Sequence, residues 1–273
     1  MRRLLFFIFS IGWLASCEVV STRTVTLPTV PERLVVNGVV SNLGMGVFVS
    51  KTAPVLEPSQ TSSLLEVTAS LYKNGEKIEE LSKEDGLYTS KIKREYSSNY
   101  TLEILHNSLG IASALLEPLP VFVPITSANL SYNKDKSEAT ILMHFKDIDG
   151  EDYYAYKIVA EANGIPFISD HIYRIPFRNI LTDTDFESKE KEIELRQFLF
   201  KEGLNSQRIK ADKIRVYLYH LTKDTYNYYY SLNEYDSFNE DAFADISPIK
   251  NNISNGYGFV GACAIDTLTI TLK

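Results

Sequence analysis

Residues 65–76 read Leu-Glu-Val-Thr-Ala-Ser-Leu-Tyr-Lys-Asn-Gly-Glu, and this stretch decides the fold class of the chain. Apolar and polar residues alternate from residue 65 to residue 71, which predicts a strand with one face in a core. The Asn74-Gly75 pair that follows favours a two-residue hairpin turn, because both residue types tolerate positive φ angles. The stretch therefore predicts antiparallel β-sheet.

Further strands are expected on both sides of this hairpin. Residues 34–40 predict a strand interrupted by a turn or bulge at Asn37-Gly38, and Asp85-Gly86 predicts a turn into another strand. Short strands separated by glycine turns indicate an immunoglobulin-like or transthyretin-like β-sandwich over residues 33–124. A later strand of this domain places three apolar side chains on one face: Tyr100, Leu102 and Ile104.

A second β-rich domain is expected over residues 125–273. Three prolines between residues 118 and 124 mark the boundary, because proline cannot join a central strand. The domain begins with a strand at residues 139–145, and we expect its antiparallel partner at residues 153–159, across a turn at residues 147–150. Later strands are predicted at residues 214–220 and 268–272.

Two segments of this second domain predict short helices. Residues 187–201 are rich in charge and place Ile193, Leu195, Phe198 and Leu199 at helix-like spacing. Asp224 is a suitable N-cap for a tyrosine-rich helix over residues 225–232. The fold class predicted for the chain is therefore mainly β, with one or two short helices.

The first residues carry the signals of a bacterial lipoprotein. Two arginines precede an apolar run that ends at Leu-Ala-Ser-Cys17, which predicts a signal peptide over residues 1–16 with a lipobox. The apolar run is shorter than the ~20 residues that a membrane-spanning helix needs. We expect the lipid on Cys17, and an extended, proline-containing tether over residues 17–32.

Charge and cysteine content exclude several classes of protein. The net charge is −7, and loss of the two arginines in the signal peptide makes it about −9, which argues against a nucleic-acid-binding protein. A hydrophobic content of 44% with 23% charged residues is typical of a globular chain. With Cys17 lipidated, Cys263 has no disulfide partner, and its small apolar neighbours favour a buried inert thiol.

Motifs that could carry chemistry are weak. Gly256–Gly261 has the spacing G-x-G-x-x-G but leads into a predicted strand, so turn and bulge glycines are favoured over a dinucleotide site. The carboxylate-rich segment 147–152 lacks the spacing of an EF-hand, so a hairpin turn is favoured. A calcium site of another type at Asp147, Asp149 and Asp152 stays an alternative.

No cofactor and no metal are assigned from the sequence. His144 and His220 lie on predicted strands and could meet across a sheet, but hydrogen-bonded structural histidines are favoured over zinc ligands. Tyrosine rings of the predicted helix could stack on a sugar or fill an apolar pocket, and packing of the helix on a sheet explains the same pattern. The candidate ligand or partner contacts are Tyr228, Tyr229, Tyr230, Asn252, Asn255 and Tyr257.

Several segments together resemble a known family. They include Leu-Val-Val-Asn-Gly at residues 34–38, Thr-Tyr-Asn-Tyr at residues 225–228 and Asn-Ile-Ser-Asn-Gly-Tyr-Gly-Phe-Val-Gly-Ala at residues 252–262. The chain resembles the Bacteroidota envelope lipoproteins with domain of unknown function 4249. The resemblance implies an envelope lipoprotein, often encoded beside a TonB-dependent transporter, in a family with no established enzymatic activity.

We therefore expect a non-catalytic lipoprotein, anchored in the outer membrane through Cys17 and accessory to a TonB-dependent transporter in ligand capture or uptake. Its expected contacts are the membrane, through the lipid, and the transporter, with no nucleic acid. The alternatives are a surface scaffold or assembly subunit and, third, a hydrolase whose carboxylates are dispersed along the chain. The ligand and the membrane leaflet stay open.

Overall fold

This computed structural model of the 273-residue chain describes residues 31–53, 66–84, 86–93, 98–168, 172–173, 175, 178–203, 207–238 and 248–272. The predicted signal peptide, Cys17 and nearly all of the tether lie outside these described residues. Within the described ranges, no helix combines the length and the apolar character that crossing a bilayer requires.

A nine-stranded sheet, called the long sheet below, contains the first and last strands of the described chain. These two strands are neighbours and run parallel, whereas the other paired strands of this sheet are antiparallel. In spatial order its strands are β12 (Ile165–Pro166), β11 (Tyr153–Ala162), β17 (Lys213–Leu221), β18 (Tyr257–Thr271), β1 (Leu34–Ser41), β2 (Gly44–Lys51), β6 (Leu87–Ser90) and β5 (Ser82–Glu84), with β13 (Ile180–Thr182) also beside β11.

Three smaller sheets and one helix complete the described structure. The four-stranded sheet has the order β4 (Glu76–Glu80), β3 (Thr68–Lys73), β7 (Tyr100–His106) and β8 (Gly110–Leu116). The three-stranded sheet has the order β14 (Glu190–Phe198), β10 (Glu138–Lys146) and β9 (Ile125–Tyr132). The two-stranded sheet pairs β15 (Phe200–Glu202) with β16 (Arg208–Lys210), and the helix is α1 (Lys223–Phe238). The prediction of a mainly β fold is therefore confirmed.

One face of the long sheet supports two separate cores. Val260 and Ala262 of β18 belong to the core that the four-stranded sheet covers, whereas Leu268 and Ile270 of the same strand pack against the core that the three-stranded sheet covers. All four residues have even numbers, and alternate residues of a strand share a face. The first core combines residues from before the predicted linker with Ile253, Val260 and Ala262, so strand β18 of the long sheet contributes to both cores.

The opposite face of the long sheet carries a third core beneath the helix. Val39 of β1, Tyr219 of β17 and Cys263 of β18 are buried there, and Tyr226 and Tyr229 of α1 pack against them. Helix α1 therefore lies on the side of the long sheet that the smaller sheets leave uncovered.

The hairpin that decided the fold class is present as expected. Strands β3 and β4 are joined by Asn74 and Gly75, with φ angles of 51° and 87°. Ala69 and Leu71 are buried in the first core. Positive φ at both turn residues is the type I′ geometry, whose twist matches that of the two strands.

The predicted helix over residues 187–201 is wrong, because this segment contains strand β14, which pairs with β10. Ile193 and Leu195 are buried while Glu190, Glu192 and Glu194 are exposed. This alternation has the period of a strand, and pairing with a neighbouring strand outweighs the helix propensity of the glutamates.

Two expectations about strands are also wrong. Strand β11 does not pair with β10: the two strands lie in different sheets, and residues 147–152 cross between the layers instead of forming a hairpin turn. Strand β1 is continuous through Asn37-Gly38, which makes no turn. Gly38 is needed for a close approach, since a Cβ there would lie 2.6 Å from the Gly46 carbonyl oxygen.

Candidate functional site

Helix α1 begins at a threonine cap. The Oγ1 of Thr222 accepts a hydrogen bond from the Thr225 backbone N–H at 3.3 Å, and the Thr222 carbonyl oxygen accepts one from Tyr226 at 2.9 Å. The first bond satisfies one of the donors that the first turn leaves free, and the second is the first backbone bond of the helix. Asp224 lies within the first turn, so the predicted N-cap was two residues too late.

The start of the helix also continues the hydrogen bonding of strand β18. The Ala262 backbone N–H donates to Thr225 Oγ1 at 2.8 Å, and the Ala262 carbonyl oxygen accepts from the Thr222 N–H at 3.1 Å. The neighbouring residue must be glycine, because a Cβ on Gly261 would lie 2.6 Å from Thr225 Oγ1. These contacts fix the helix on the long sheet.

The carboxylate of Glu117 reaches this cap from the segment that follows β8. It accepts hydrogen bonds from the hydroxyls of Thr222 and, at 3.5 Å, Thr225. Partial burial raises the pKa of Glu117, the hydrogen bond from Thr222 opposes that rise, and the nearby Asp224 adds to it. Asp224 is paired with Lys250 at 3.1 Å, which lowers the pKa of this carboxyl.

Of the three consecutive tyrosines, Tyr228 serves the core. Its ring stacks on Phe259 with 4.6 Å between centroids and 10° between planes, and its hydroxyl donates to Asn37 Oδ1 at 3.1 Å. The residue is 8% exposed, and burial raises its pKa to about 12. This contact ties the helix to strands β1 and β18 at once.

Tyr229 lines a cleft of about 190 Å³ at the face of strands β1 and β2, called the tyrosine cleft below. Its floor includes two glycines, and the ring of Tyr173 lies on one of them, since a Cβ on Gly46 would be 2.3 Å from Tyr173 Cδ2. Tyr230 is exposed and stacks on Tyr226 at 5.9 Å instead. The other residues of the cleft are Asn37, Gly38, Phe48 and Leu87.

The predicted contacts in the loop before β18 lie outside this cleft. Asn252 uses both ends of its amide to hold Val260, donating from Nδ2 to the carbonyl oxygen and accepting from the N–H at Oδ1, each at 2.9 Å. Asn255 is exposed in a turn with φ 59°. Tyr257 is exposed at the start of β18, with the Arg33 guanidinium 5.9 Å from its ring centroid.

The glycine motif at residues 256–261 opens strand β18 rather than a helix, as the structural interpretation of these glycines predicted. Gly258 has φ 111°, and a Cβ there would lie 2.2 Å from the Val36 carbonyl oxygen. The motif therefore serves the close pairing of β18 with β1.

A second, wider groove of about 570 Å³ lies between two hairpins. One side is the β11–β12 connection with Ile165 and Phe167, and the other is the β15–β16 hairpin with Gly203 and Ile209. Its lining is mostly apolar and its rim carries Lys201 and Glu202.

A cluster of three buried carboxylates lies where the chain crosses between layers, and we call it the acidic cluster: Asp147, Asp152 and Asp183. One oxygen of each lies within 4.8 Å of the other two, and the residues are 2%, 9% and 5% exposed. Asp147 accepts hydrogen bonds from the Tyr154 hydroxyl at 2.5 Å and the Ser188 N–H at 2.8 Å. Asp183 Oδ2 accepts the Asp152 N–H at 3.0 Å.

Only one of the two carboxylate oxygens of Asp152 makes a hydrogen bond to a described residue. Its Oδ1 pairs with His220 Nε2 at 2.8 Å, whereas its buried Oδ2 has no hydrogen-bond partner among the residues that the structure describes. Burial raises the pKa of Asp152, His220 opposes the rise, and the charges of Asp147 and Asp183 add to it. A buried oxygen without a partner is rare in folded proteins and requires an explanation.

The sequence reasoning found two members of this cluster and missed the third. Asp149, which the sequence grouped with them, is exposed and accepts a hydrogen bond from Ser188. Asp183 takes its place from a loop more than 30 residues later, anchored by its N–H to the Asp152 carbonyl oxygen. The signal available in the sequence was the polar run Thr-Asp-Thr-Asp at residues 182–185.

The histidines and the free cysteine have structural surroundings. His220 is held at Nδ1, 2.6 Å from the Val121 carbonyl oxygen, in addition to Asp152. His144 lies in the other sheet, 3.3 Å from Glu192, so the two histidines do not face each other across one sheet. Cys263 is fully buried, and burial raises the pKa of its thiol.

A family profile described as domain of unknown function DUF4249 matches residues 21–269. The chain belongs to the DUF4249 family. No curated protein matches this DUF4249 chain. One chain of a solved structure titled "Cytokine receptor complex - Crystal form 2" is 12% identical to this chain, with a TM-score of 0.25. The alignment covers 67% of this chain and 89% of that chain, and the similarity is too low to support an argument.

Proposed function

We propose that this DUF4249 protein is a lipid-anchored, non-catalytic binding protein of the outer membrane that assists a TonB-dependent transporter in ligand capture or uptake. The observation that supports a binding role is the tyrosine cleft, which is lined by three aromatic rings and two glycines. The lipobox at Cys17 supports the anchoring.

The lining of the cleft favours binding over chemistry. Phe48, Tyr173 and Tyr229 supply aromatic faces, and Asn37 supplies an amide beside them. Aromatic walls with one or two fixed polar groups are typical of sites that bind sugars, peptides or other small molecules. Neither a carboxylate nor a histidine is among the described residues that line this cleft, and its titratable groups there are the phenols of Tyr173 and Tyr229.

Crosslinking and affinity purification of the tagged full chain from intact envelopes test the proposal. We expect a TonB-dependent barrel to copurify with the wild-type chain. Cys17→Ala should release the protein from the membrane fraction, and Tyr229→Ala should reduce recovery of the barrel or its ligand. Tyr257→Ala is the control, because that tyrosine is an exposed aromatic residue that lies outside the cleft. Recovery of the wild-type chain without any transporter would refute the accessory role.

One observation favours the second candidate, a surface scaffold. Leu105 and Ile111 form an exposed apolar pair across strands β7 and β8, and Leu115 on the same face is 67% exposed. Strand β8 is an edge of the four-stranded sheet, and beyond β7 its backbone makes a single bridge, between Ser113 and Ser254, within the described part of the chain. Exposed apolar side chains on an edge strand are typical of assembly surfaces. Ile111→Asp separates the candidates, because it should abolish recovery of a scaffold partner and leave transporter recovery unchanged.

A further inference from the structure

The acidic cluster holds more negative charge than its protein contacts balance. Three buried carboxylates meet within 4.8 Å, and His220 contributes at most one positive charge, at Asp152 alone. Like charges at this distance disfavour the ionised forms, and burial adds a desolvation cost. A bound cation would compensate both effects.

An independent observation points to a ligand at the same place. The buried Oδ2 of Asp152 has no hydrogen-bond partner within the described ranges. The residue is only 9% exposed, and its carboxylate belongs to the cluster. Buried polar atoms are nearly always paired, so an unpaired oxygen on a carboxylate of this cluster indicates a missing partner. A metal ion coordinated by this oxygen would satisfy it.

We propose that Asp147, Asp152 and Asp183 bind a calcium ion. This site is separate from the tyrosine cleft and does not depend on the proposed function. Its ligands come from two loops: Asp147 and Asp152 bound the crossing between β10 and β11, and Asp183 follows β13.

The chemistry of the donors selects the ion. Carboxylate oxygens are hard ligands, which calcium and magnesium prefer over zinc. Both ring nitrogens of His220 are already occupied, by Val121 and Asp152, so the cluster offers oxygen donors only. Magnesium is usually bound through one or two carboxylates and keeps several waters, whereas calcium accepts six to eight oxygens in a flexible geometry. Three protein carboxylates whose oxygens lie within 4.8 Å of one another therefore favour calcium.

A calcium ion here would fasten the two loops to each other. The backbones already exchange hydrogen bonds: Asp183 donates its N–H to the Asp152 carbonyl oxygen at 3.2 Å, and Asp147 donates its N–H to Lys189 at 2.9 Å. These loops lie where the chain passes from the three-stranded sheet to the long sheet. The ion would therefore stabilise the joint between the two layers of the second core.

Calorimetric titration of the EDTA-treated full chain with CaCl₂ tests the proposal. We expect one ion per chain with a dissociation constant below about 1 mM, together with a calcium-dependent rise in melting temperature. Asp183→Asn keeps an oxygen to accept the Asp152 N–H and should weaken binding at least about tenfold. Asp152→Asn, which keeps an acceptor for His220, serves the same purpose where Asp183→Asn does not fold.

Asp212→Asn is the matched control. Asp212 carries the other buried carboxylate oxygen without a partner among the described residues, but it lies outside the acidic cluster. Its substitution should leave calcium affinity unchanged. A folded wild-type chain that shows no saturable binding at about 10 mM CaCl₂ would overturn the site. Equal losses from Asp183→Asn and Asp212→Asn, or binding of Mg²⁺ without Ca²⁺, would also overturn it.

Discussion

Replacing Thr225 by valine should remove the hydrogen bond between helix α1 and strand β18 while preserving the packing of the side chain. Thr225 is 0% exposed, and its Oγ1 is the acceptor for the Ala262 backbone N–H at 2.8 Å. Valine has nearly the same shape, so the substitution removes the hydroxyl without creating a cavity. Because water cannot reach this position, the Ala262 N–H would then be buried without a partner.

A buried donor left without an acceptor costs about 1–3 kcal/mol. The same substitution removes the hydrogen bond that Thr225 shares with Thr222 at 2.7 Å, so we expect a loss of about 2–3 kcal/mol in the free energy of unfolding. Thr225→Ser retains the hydroxyl and loses one methyl group, which costs about 1 kcal/mol.

Urea unfolding of the three proteins, followed by circular dichroism, measures these differences. Equal slopes of the free energy against urea concentration would show that the substitutions changed stability and not the extent of unfolding. Valine must be more destabilising than serine for the reasoning to hold. A valine variant as stable as the serine variant would show that the Ala262 contact does not stabilise the helix on the sheet.

Three further predictions concern other described contacts. Gly258→Ala should lower the free energy of unfolding by about 2 kcal/mol or more, because φ is 111° and the Cβ would lie 2.2 Å from the Val36 carbonyl oxygen. Gly110→Ala, at φ 80° with no atom within 4 Å of the added Cβ, should lower it less, and urea unfolding measures both. Cys263 should resist thiol reagents in the folded protein and react on unfolding, and rapid labelling without denaturant would contradict its burial. Burial raises the pKa of Glu117, so the folded protein binds a proton at this carboxyl more tightly than the unfolded chain does. The resulting contribution to the free energy of unfolding is fully present below the pKa of the unfolded chain and is lost as pH rises through the pKa of the folded protein. The stability of Glu117→Gln relative to the wild type should therefore increase as pH rises above the pKa of this carboxyl in the unfolded chain, and an unfolding difference independent of pH would refute this.

Local signals in the sequence predicted local structure well. The Asn74-Gly75 turn and the alternation before it are both present, because a two-residue hairpin is determined by its own residues. The tyrosine-rich helix is also present, although its cap is Thr222. At residues 187–201 the glutamates favoured a helix, and pairing of β14 with β10 decided otherwise.

Features that depend on distant residues were not predicted. The partner of β11 is β17, which lies some 60 residues later, and no residue in the connecting loop encodes that choice. The acidic cluster is hidden for the same reason, because Asp183 joins Asp147 and Asp152 only after two loops have met. Tyr173 likewise enters the tyrosine cleft from a segment with no motif.

The parallel pairing of β1 with β18 has a consequence for the order of folding. Phe259 donates its backbone N–H to Asn37 across 222 residues, so among the described strands β1 pairs with the one farthest from it along the chain. Closing so large a loop carries an entropic cost before any contact compensates it, and such topologies fold slowly. Until β18 reaches it, β1 has β2 on one edge and an unpaired edge on the other. Completion of the long sheet is thus a late event in folding, and the open edge of β1 is a site where a chaperone could bind before then.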